Sequence, residues 1–350
     1  MNIFQNNPFL IAEIGVNYYD IAEKENISNM DAAKLMIKEA KRAEADAVKF
    51  QSYKAETIVS KNSPSYWDNT EEPTTSQYEL FKKFDSFGKE EYKELSEYCS
   101  SLGILFLSTP FDFDSIEYLD EIIDIYKISS SDLTNIPFIK EIAKKQKPVI
   151  LSTGAATIEE IDLAIKTIKN EGNKYIGLMH CVLSYPTEYE DANLLMIKYL
   201  KDNYNNYDIG FSDHTRPDDK MLVLTAAFLY GANIIEKHYT LDKNLKGNDH
   251  YHAMDPEDIK KFKENIKFID KLNGEYEKKP LVCESESRKQ ARRSIVAKKD
   301  LNIGETITEE LLTFKRPGTG ISPKNLNEIL GKKVKSPIKE DDLIKYENLE

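Results

Sequence analysis

Eight short apolar, β-branched runs recur along this chain, and each is followed by a segment with helical spacing. The runs are FLIAEIGV (9–16), DAVKFQ (46–51), ILFLSTP (104–110), IYKISSS (125–131), PVILSTG (148–154), YIGLMHC (175–181), DIGFSDHT (208–215) and NIIEKHYT (233–240). Between them lie segments such as DAAKLMIKEAKRA and TIEEIDLAIKTIKN, in which apolar residues return at i, i+3, i+4 and i+7. Strand–helix alternation repeated this often implies parallel strands closed into a TIM (β/α)8 barrel. Runs that are apolar on both faces suit such a sheet, because side chains fill its interior and helices cover its outside.

A barrel of this kind takes about 250 residues, and the chain has 350. The barrel pattern breaks after residue 272. Residues 273–290 (NGEYEKKPLVCESESRKQ) are charged and turn-rich and read as a linker. Residues 291–350 carry short strand signals between Gly/Pro turns and predict a small, compact β-rich module. One barrel connection is too long. Residues 52–88 follow the second strand, are polar and aromatic, and predict one short helix at the C-terminal face of the barrel. A surface excursion and a lid or substrate-contact segment are both open readings of it.

The formal net charge of −12 argues against a nucleic-acid footprint. It leaves room for a local basic pocket. Three cysteines, Cys99, Cys181 and Cys283, form no metal-spaced pair and point to a reduced, cytoplasmic protein. The N-terminal stretch MNIFQNNPFLIAEIGVN has neither a basic start nor a long apolar core, so neither a signal peptide nor a membrane span is expected.

All five histidines, His180, His214, His238, His250 and His252, lie between residues 180 and 252. Four fall at or just past the C-terminal ends of predicted strands six to eight, the face on which TIM barrels carry their sites. A lone histidine is more often structural than a ligand, but clustering on adjacent strand ends favours an open site for Mn²⁺, Zn²⁺ or Co²⁺. His214 and His238 form the strongest pair, since adjacent parallel strands can aim both inward. Other strand ends are polar too: Glu13, Lys49 with Gln51, Thr109, Lys127 with Ser130, and Ser152 with Thr153. Lysines inside apolar strands are costly unless they meet a charge. They fit either internal pairs with Glu13 or Glu236, or an anion pocket for phosphate and carboxylate. In STGAATIEE, Ser152, Thr153 and Gly154 precede a helix whose N-terminus would favour anions. Together these features suggest a metal-assisted reaction on a phosphorylated, carboxylated substrate.

The segments AEIGVN, ADAVKFQ, STPFD, YKISSSD, ILSTGAA, HCVLSYPTE, GFSDHT, IEKHYTLD and GNDH, followed by RSIVAKKD and LTFKRPGTGI, occur in an order that resembles the sialic acid (nonulosonic acid) synthase family. The resemblance spans nearly the whole chain, including a C-terminal antifreeze-like (SAF) domain. It implies condensation of phosphoenolpyruvate (PEP) with an open-chain N-acetylated aminosugar and release of phosphate. By resemblance, His214 and His238 hold a divalent ion, with Mn²⁺ expected and Mg²⁺ or Co²⁺ as alternatives. Lys127, Ser130, Ser152, Thr109 and Ser212 would bind PEP. Glu13, Lys49, Gln51, Tyr185 and Asp249 would hold the sugar, and Glu236 would serve as acid/base, with Glu13 and Lys49 beside it. Arg316 would reach from the SAF domain into a partner's barrel and contact the N-acyl group, which implies a domain-swapped homodimer.

The chain departs from the family pattern at Asn17-Tyr18, where Asn-His is usual, and at Val182-Leu183-Ser184, which removes an amide that could contact PEP. The segment GNDHYHAMDPED is unusual around Met254, and Asp249-His250 leans toward the sialic and legionaminic branches. The expected product is therefore N-acetylneuraminate or N,N'-diacetyllegionaminate. A pseudaminic acid synthase, a pyruvate-dependent metal aldolase and a non-catalytic sugar-binding barrel are the competing readings.

Overall fold

The computed structural model describes residues 8–67, 69–247 and 249–350. Residues 1–7 of the N-terminal stretch and Asn248 of GNDH lie outside that set. Two compact units are present, one ending at Asn273 and the other running Gly274–Glu350.

The first unit is an eight-stranded parallel barrel. Its strands are β1 (Phe9–Gly15), β2 (Ala47–Ser52), β3 (Leu105–Pro110), β4 (Tyr126–Ile128), β5 (Val149–Ser152), β6 (Ile176–Cys181), β7 (Asp208–Asp213) and β8 (Ile234–His238). Each coincides with one of the eight runs, β2 extending one residue past its run to Ser52, and the order β3-β2-β1-β8-β7-β6-β5-β4 nearly closes the ring. β4 is short because Ser129 turns the chain out of the sheet, its hydroxyl accepting a 3.2 Å bond from Ser131 N.

The two-residue period of the strands explains where the site lies. At alternate positions Phe9, Ile11, Ala47, Leu107, Ile125, Ile150, Met179 and Ile234 make one apolar layer inside the barrel. The intervening residues, such as Leu10, Val48, Phe106, Leu151 and Phe211, belong to the larger core beneath the helices. One step further toward the C-terminal ends, the inward positions become Glu13, Lys49, Thr109, Lys127, Ser152, Ser212 and Glu236, all buried. The polar set thus forms a layer of its own above an apolar floor. Helix Asn29–Arg42 illustrates the outer ring. Ser28 caps it by accepting from Asp31 N at 3.0 Å, and Ala32, Ala33, Met36, Ile37 and Ala40 form its buried face. Burying a side chain the size of Met36 or Ile37 contributes roughly 1.5–3 kcal/mol.

Segment 52–88 contains two helices, Ala55–Ile58 and Gln77–Lys83, not the single one expected. Four residues are too few to show a period in sequence. The segment is pinned down: Trp67, Leu80 and Phe84 pack on Val16 and Tyr19, and Lys54 Nζ donates to the carbonyls of Asp85 and Phe87 at 2.6 and 2.9 Å. Tyr18, the first departure from the family pattern, is stacked on Phe87 with ring centroids 4.7 Å apart. It is 1% exposed, so it serves this packing and not the site.

The second unit has its own apolar core, including Ile295, Leu301, Ile307, Ile329 and Ile344. Its strands β9 (Ser294–Ala297) and β10 (Leu312–Lys315) pair antiparallel. The stretch read as a linker is exposed and ends in helix Ser285–Ala291.

Candidate active site

Lys49 Nζ stands 2.6 Å from Glu13 Oε2 and donates to Thr109 Oγ1 at 2.9 Å. Its distance to Glu236 Oε2 is 3.9 Å. On the other side, Lys127 Nζ donates to Glu236 Oε1 at 3.2 Å, and Ser212 Oγ donates to the same oxygen at 3.0 Å. Gln51 Nε2 donates to Glu13 Oε1 at 3.1 Å. Both buried lysines therefore meet a carboxylate, and the cluster of two lysines and two glutamates is neutral when all four are charged. The internal-pair reading describes these contacts, while the cluster also forms the floor of an open cavity. Lys237, adjacent to Glu236, points the other way. It donates to Asp213 Oδ2 at 2.6 Å on the outer face, so Glu236 does not neutralise it.

The environments of the two glutamates differ. Burial, opposed by Lys49 and reinforced by Glu236, lifts Glu13 to about 7. Burial would raise Glu236 as well, but Lys127 and Lys49 outweigh it and hold this group below the usual carboxylate range. Glu13 is paired with one lysine and Glu236 lies between two, which accounts for the divergence. Carboxylates pushed apart in this way can divide acid and base roles.

A cavity of about 840 Å³ opens above this cluster. It is lined by Glu13, Lys49, Gln51, Thr109, Lys127, Ser130, Ser152, Tyr185, Ser212, His214, Glu236, His238 and Asp249. Every site residue expected from the barrel's sequence thus faces one space; Arg316 belongs to the second unit. A smaller hollow of about 650 Å³ includes Asp208 and Asn233, at the N-terminal ends of β7 and β8, the face that in such barrels serves stability. Segment 52–88 contributes Tyr53, Ile58, Val59, Tyr66 and Phe81 to the upper cavity wall, and Leu183, within the departure at 182–184, lines it too.

Gly154 N donates to Ser130 Oγ at 3.0 Å. A Cβ on Gly154 would stand 2.8 Å from that oxygen, so only glycine permits this approach. The helix after this turn does not contribute as expected. It starts at Ile158 and does not line the cavity; its capping box is internal, with Thr157 Oγ1 accepting from Glu160 N and Glu160 accepting from Thr157 N. Anion-binding capacity at this strand end instead lies in Ser152, whose buried hydroxyl makes no hydrogen bond, and in Lys127.

The five histidines separate into two groups. His180 Nε2 bonds Ala192 O at 2.8 Å, on the outer face of β6. His250 bonds Thr240 Oγ1 at 2.8 Å and Asp20 Oδ2 at 3.0 Å. Both are structural. His214, His238 and His252 converge, with ring centroids 5.5 Å apart for His214 and His238 and 4.8 Å for His238 and His252. His214 Nδ1 lies 2.7 Å from Val182 O, which leaves Nε2 for another partner. His238 Nδ1 is buried without a hydrogen bond, 3.6 Å from Asp249 Oδ2. Burial and the nearby His252, His214 and Lys49 hold His238 far below the ordinary imidazole value. It is neutral, the form that binds metals. Among the described residues, the three-ligand group with metal-like spacing is His238, Asp249 and His252. A divalent ion therefore fits the donors present. Sequence reasoning counted His252 among five clustered histidines without singling it out, and gave Asp249 to the sugar. It also overlooked Cys181, whose inward position on β6 follows from its two-residue spacing from Met179.

Comparison with known proteins gives a consistent result. The NeuB family model matches residues 36–278, and the SAF domain model matches residues 292–350. The N,N'-diacetyllegionaminic acid synthase of Legionella pneumophila is 38% identical, covering 98% of this chain and 94% of that protein. The enzyme of the same name from Campylobacter jejuni is 39% identical, covering 96% and 98%. The crystal structure of the N-acetylneuraminic acid synthetase of Leptospira borgpetersenii superposes with a TM-score of 0.67 at 35% identity, covering 81% of this chain and 90% of that one.

Proposed function

We propose that this chain, which belongs to the NeuB family, condenses PEP with 2,4-diacetamido-2,4,6-trideoxymannose, releasing phosphate and forming N,N'-diacetyllegionaminate. The observation that carries this reading is one barrel mouth holding both a two-lysine, hydroxyl-rich cradle and a cluster of imidazoles beside a carboxylate. Two named relatives make that product. The cavity wall also favours it over a more polar hexose. Ile58, Val59, Phe81 and Leu183 are apolar, and Lys49 and Lys127, both engaged with glutamates, are the cations among the described lining residues. A 6-deoxy methyl and two N-acyl groups suit such a wall better than a phosphorylated C6. N-acetylmannosamine, giving N-acetylneuraminate, is the second reading, because the fold match includes a synthetase of that acid.

His214 and His238, with Asp249 beside them, would hold a divalent ion: Mn²⁺, Mg²⁺ or Co²⁺. When bound, the ion supplies Lewis-acid polarisation of the sugar aldehyde. The protein's own groups do the rest. Lys127, Ser130, Ser152, Thr109 and Ser212 hold the carboxylate and phosphate of PEP. Protonated Glu13 leaves one carboxylate against two lysines, so the cradle is net positive toward that anion. As PEP C3 bonds to the aldehyde carbon, positive charge develops at C2 and water adds there. Glu13, in register with His238 across β1 and β8, supplies the proton taken up by the aldehyde oxygen. Glu236, held ionised between Lys127 and Ser212, receives the proton from the attacking water. The resulting tetrahedral carbon expels phosphate. Gln51, Tyr185 and Asp249 orient the sugar. Three free cysteines are compatible with a cytoplasmic setting. A swapped homodimer, with Arg316 of each chain serving the other's barrel, completes the reading.

Incubation with PEP, Mn²⁺ and either sugar, followed by mass analysis, tests it. The diacetamido sugar should give the expected product with one phosphate per turnover. Product from pyruvate without phosphate release would establish an aldolase instead. Lys127→Ala should raise the KM for PEP roughly tenfold to a hundredfold, the value of a charge-assisted contact, and leave the sugar KM within about twofold. A rise confined to the sugar would reverse the two half-sites.

A further inference from the structure

We infer that His252 is a third imidazole ligand of the metal site and makes it nitrogen-rich, selecting Co²⁺ or Zn²⁺ over Mg²⁺. The inference rests on the metal-dependent reading above and deepens it.

His252 is 0% exposed, and neither of its ring nitrogens has a hydrogen-bond partner. The chain supplies its own contrast. His180 and His250 are equally secluded, yet the first bonds Ala192 O and the second bonds both Thr240 and Asp20. A buried polar group left unsatisfied costs about 1–3 kcal/mol, so an imidazole with two idle nitrogens calls for a reason. Its neighbours offer one. Ligand atoms of His238, Asp249 and His252 all lie within 4.8 Å of one another, and His252 Nε2 is 4.0 Å from Asp249 Oδ1. Ligands bound tetrahedrally at 2.0–2.1 Å stand about 3.4 Å apart, so small side-chain shifts close the set around an ion.

The backbone keeps His252 in this place. Met254 N donates to His238 O at 2.7 Å, Thr240 N to Met254 O at 3.0 Å, and Ala253 N to His250 O at 3.1 Å. The segment carrying His252 is thereby tied to the end of β8, which carries His238. His252 does not line the cavity; it backs His238 and Asp249. Imidazole suits Co²⁺ and Zn²⁺, whereas Mg²⁺ prefers oxygen ligands and retained water.

The test is metal binding by the full-length protein after chelator treatment and dialysis. Co²⁺ is titrated into wild type, His238→Ala and His252→Ala, with visible absorption and calorimetry as readouts, and Mg²⁺ is titrated in parallel. His252→Ala should bind Co²⁺ at least about tenfold more weakly, with a changed visible spectrum, while its Mg²⁺ affinity moves by less than about threefold. An unchanged Co²⁺ dissociation constant and spectrum, with His238→Ala impaired, would reduce His252 to packing and leave the metal reading intact. If wild type binds neither ion, the metal reading itself falls and this inference with it. Thermal melts accompany each titration. Should the alanine variant melt early, His252→Asn, closer in volume, decides by the same criteria.

Discussion

His238→Ala is expected to lower kcat/KM at least about a hundredfold, and chelation to abolish turnover until Mn²⁺, Co²⁺ or Mg²⁺ is restored. Three features of β8 make this the largest single-residue effect. His238 is the strand's last residue, its ring faces the cavity, and its Nδ1 makes no hydrogen bond within the protein. Removing it therefore takes away a donor to the ion without breaking an internal bond. Stability should change much less than rate, because the truncated side chain borders an existing cavity. His250→Ala should show the reverse balance. It deletes the bonds to Thr240 and Asp20 that tie the segment after β8 to helix Tyr18–Glu25, so its melting temperature should fall several degrees. His214→Ala should resemble His238→Ala, since Val182 O already occupies Nδ1 and leaves Nε2 for the ion. Turnover at the wild-type rate by protein verified as metal-free would overturn the metal reading.

Much of this site could be read from strand periodicity. Once Ile11 and Ile234 are assigned inward, Glu13, Glu236 and His238 must face the same interior two and four residues later. The same parity sends Lys237 and His180 outward, which explains why one pairs with Asp213 and the other with a backbone carbonyl. His252 followed no such rule. It lies in an irregular return between β8 and helix Pro256–Asn273, where position depends on backbone bonds to residues 238 and 240. No period in the sequence encodes those bonds. The anion-favouring helix end failed for a related reason. TIEE was legible as a capping box, but not that the helix it opens lies outside the residues lining the cavity.

Removing the second unit, with the chain ended at residue 275, should leave a folded barrel that has lost most of its activity. The two units have separate apolar cores, so the barrel's stability should survive, read as a cooperative melt and unchanged far-UV circular dichroism. Under the swapped-dimer reading proposed above, activity should fall because Arg316 goes with the unit. Its turn is built to hold a side chain out. Ser294 Oγ donates to Pro317 O at 2.6 Å and accepts from Gly320 N at 2.9 Å, and Gly318 N donates to Lys289 O at 2.8 Å. A Cβ on Gly318 would stand 2.7 Å from that of Arg292, so the turn is closely packed at its base while Arg316 is exposed. No arginine is among the described residues lining the barrel cavity, so the N-acyl group of the proposed sugar would lack that donor there. Arg316→Ala should therefore cost roughly tenfold to a hundredfold in kcat/KM for the sugar. Subunit mixing distinguishes how the arginine arrives. In a swapped dimer, a hybrid of His214→Ala and Arg316→Ala chains has one barrel with both defects and one with neither. Random exchange makes half the dimers hybrid, so an equal mixture should recover about a quarter of wild-type activity. Mixtures with verified heterodimers that remain at the level of their parents would show that the arginine acts within its own chain or not at all.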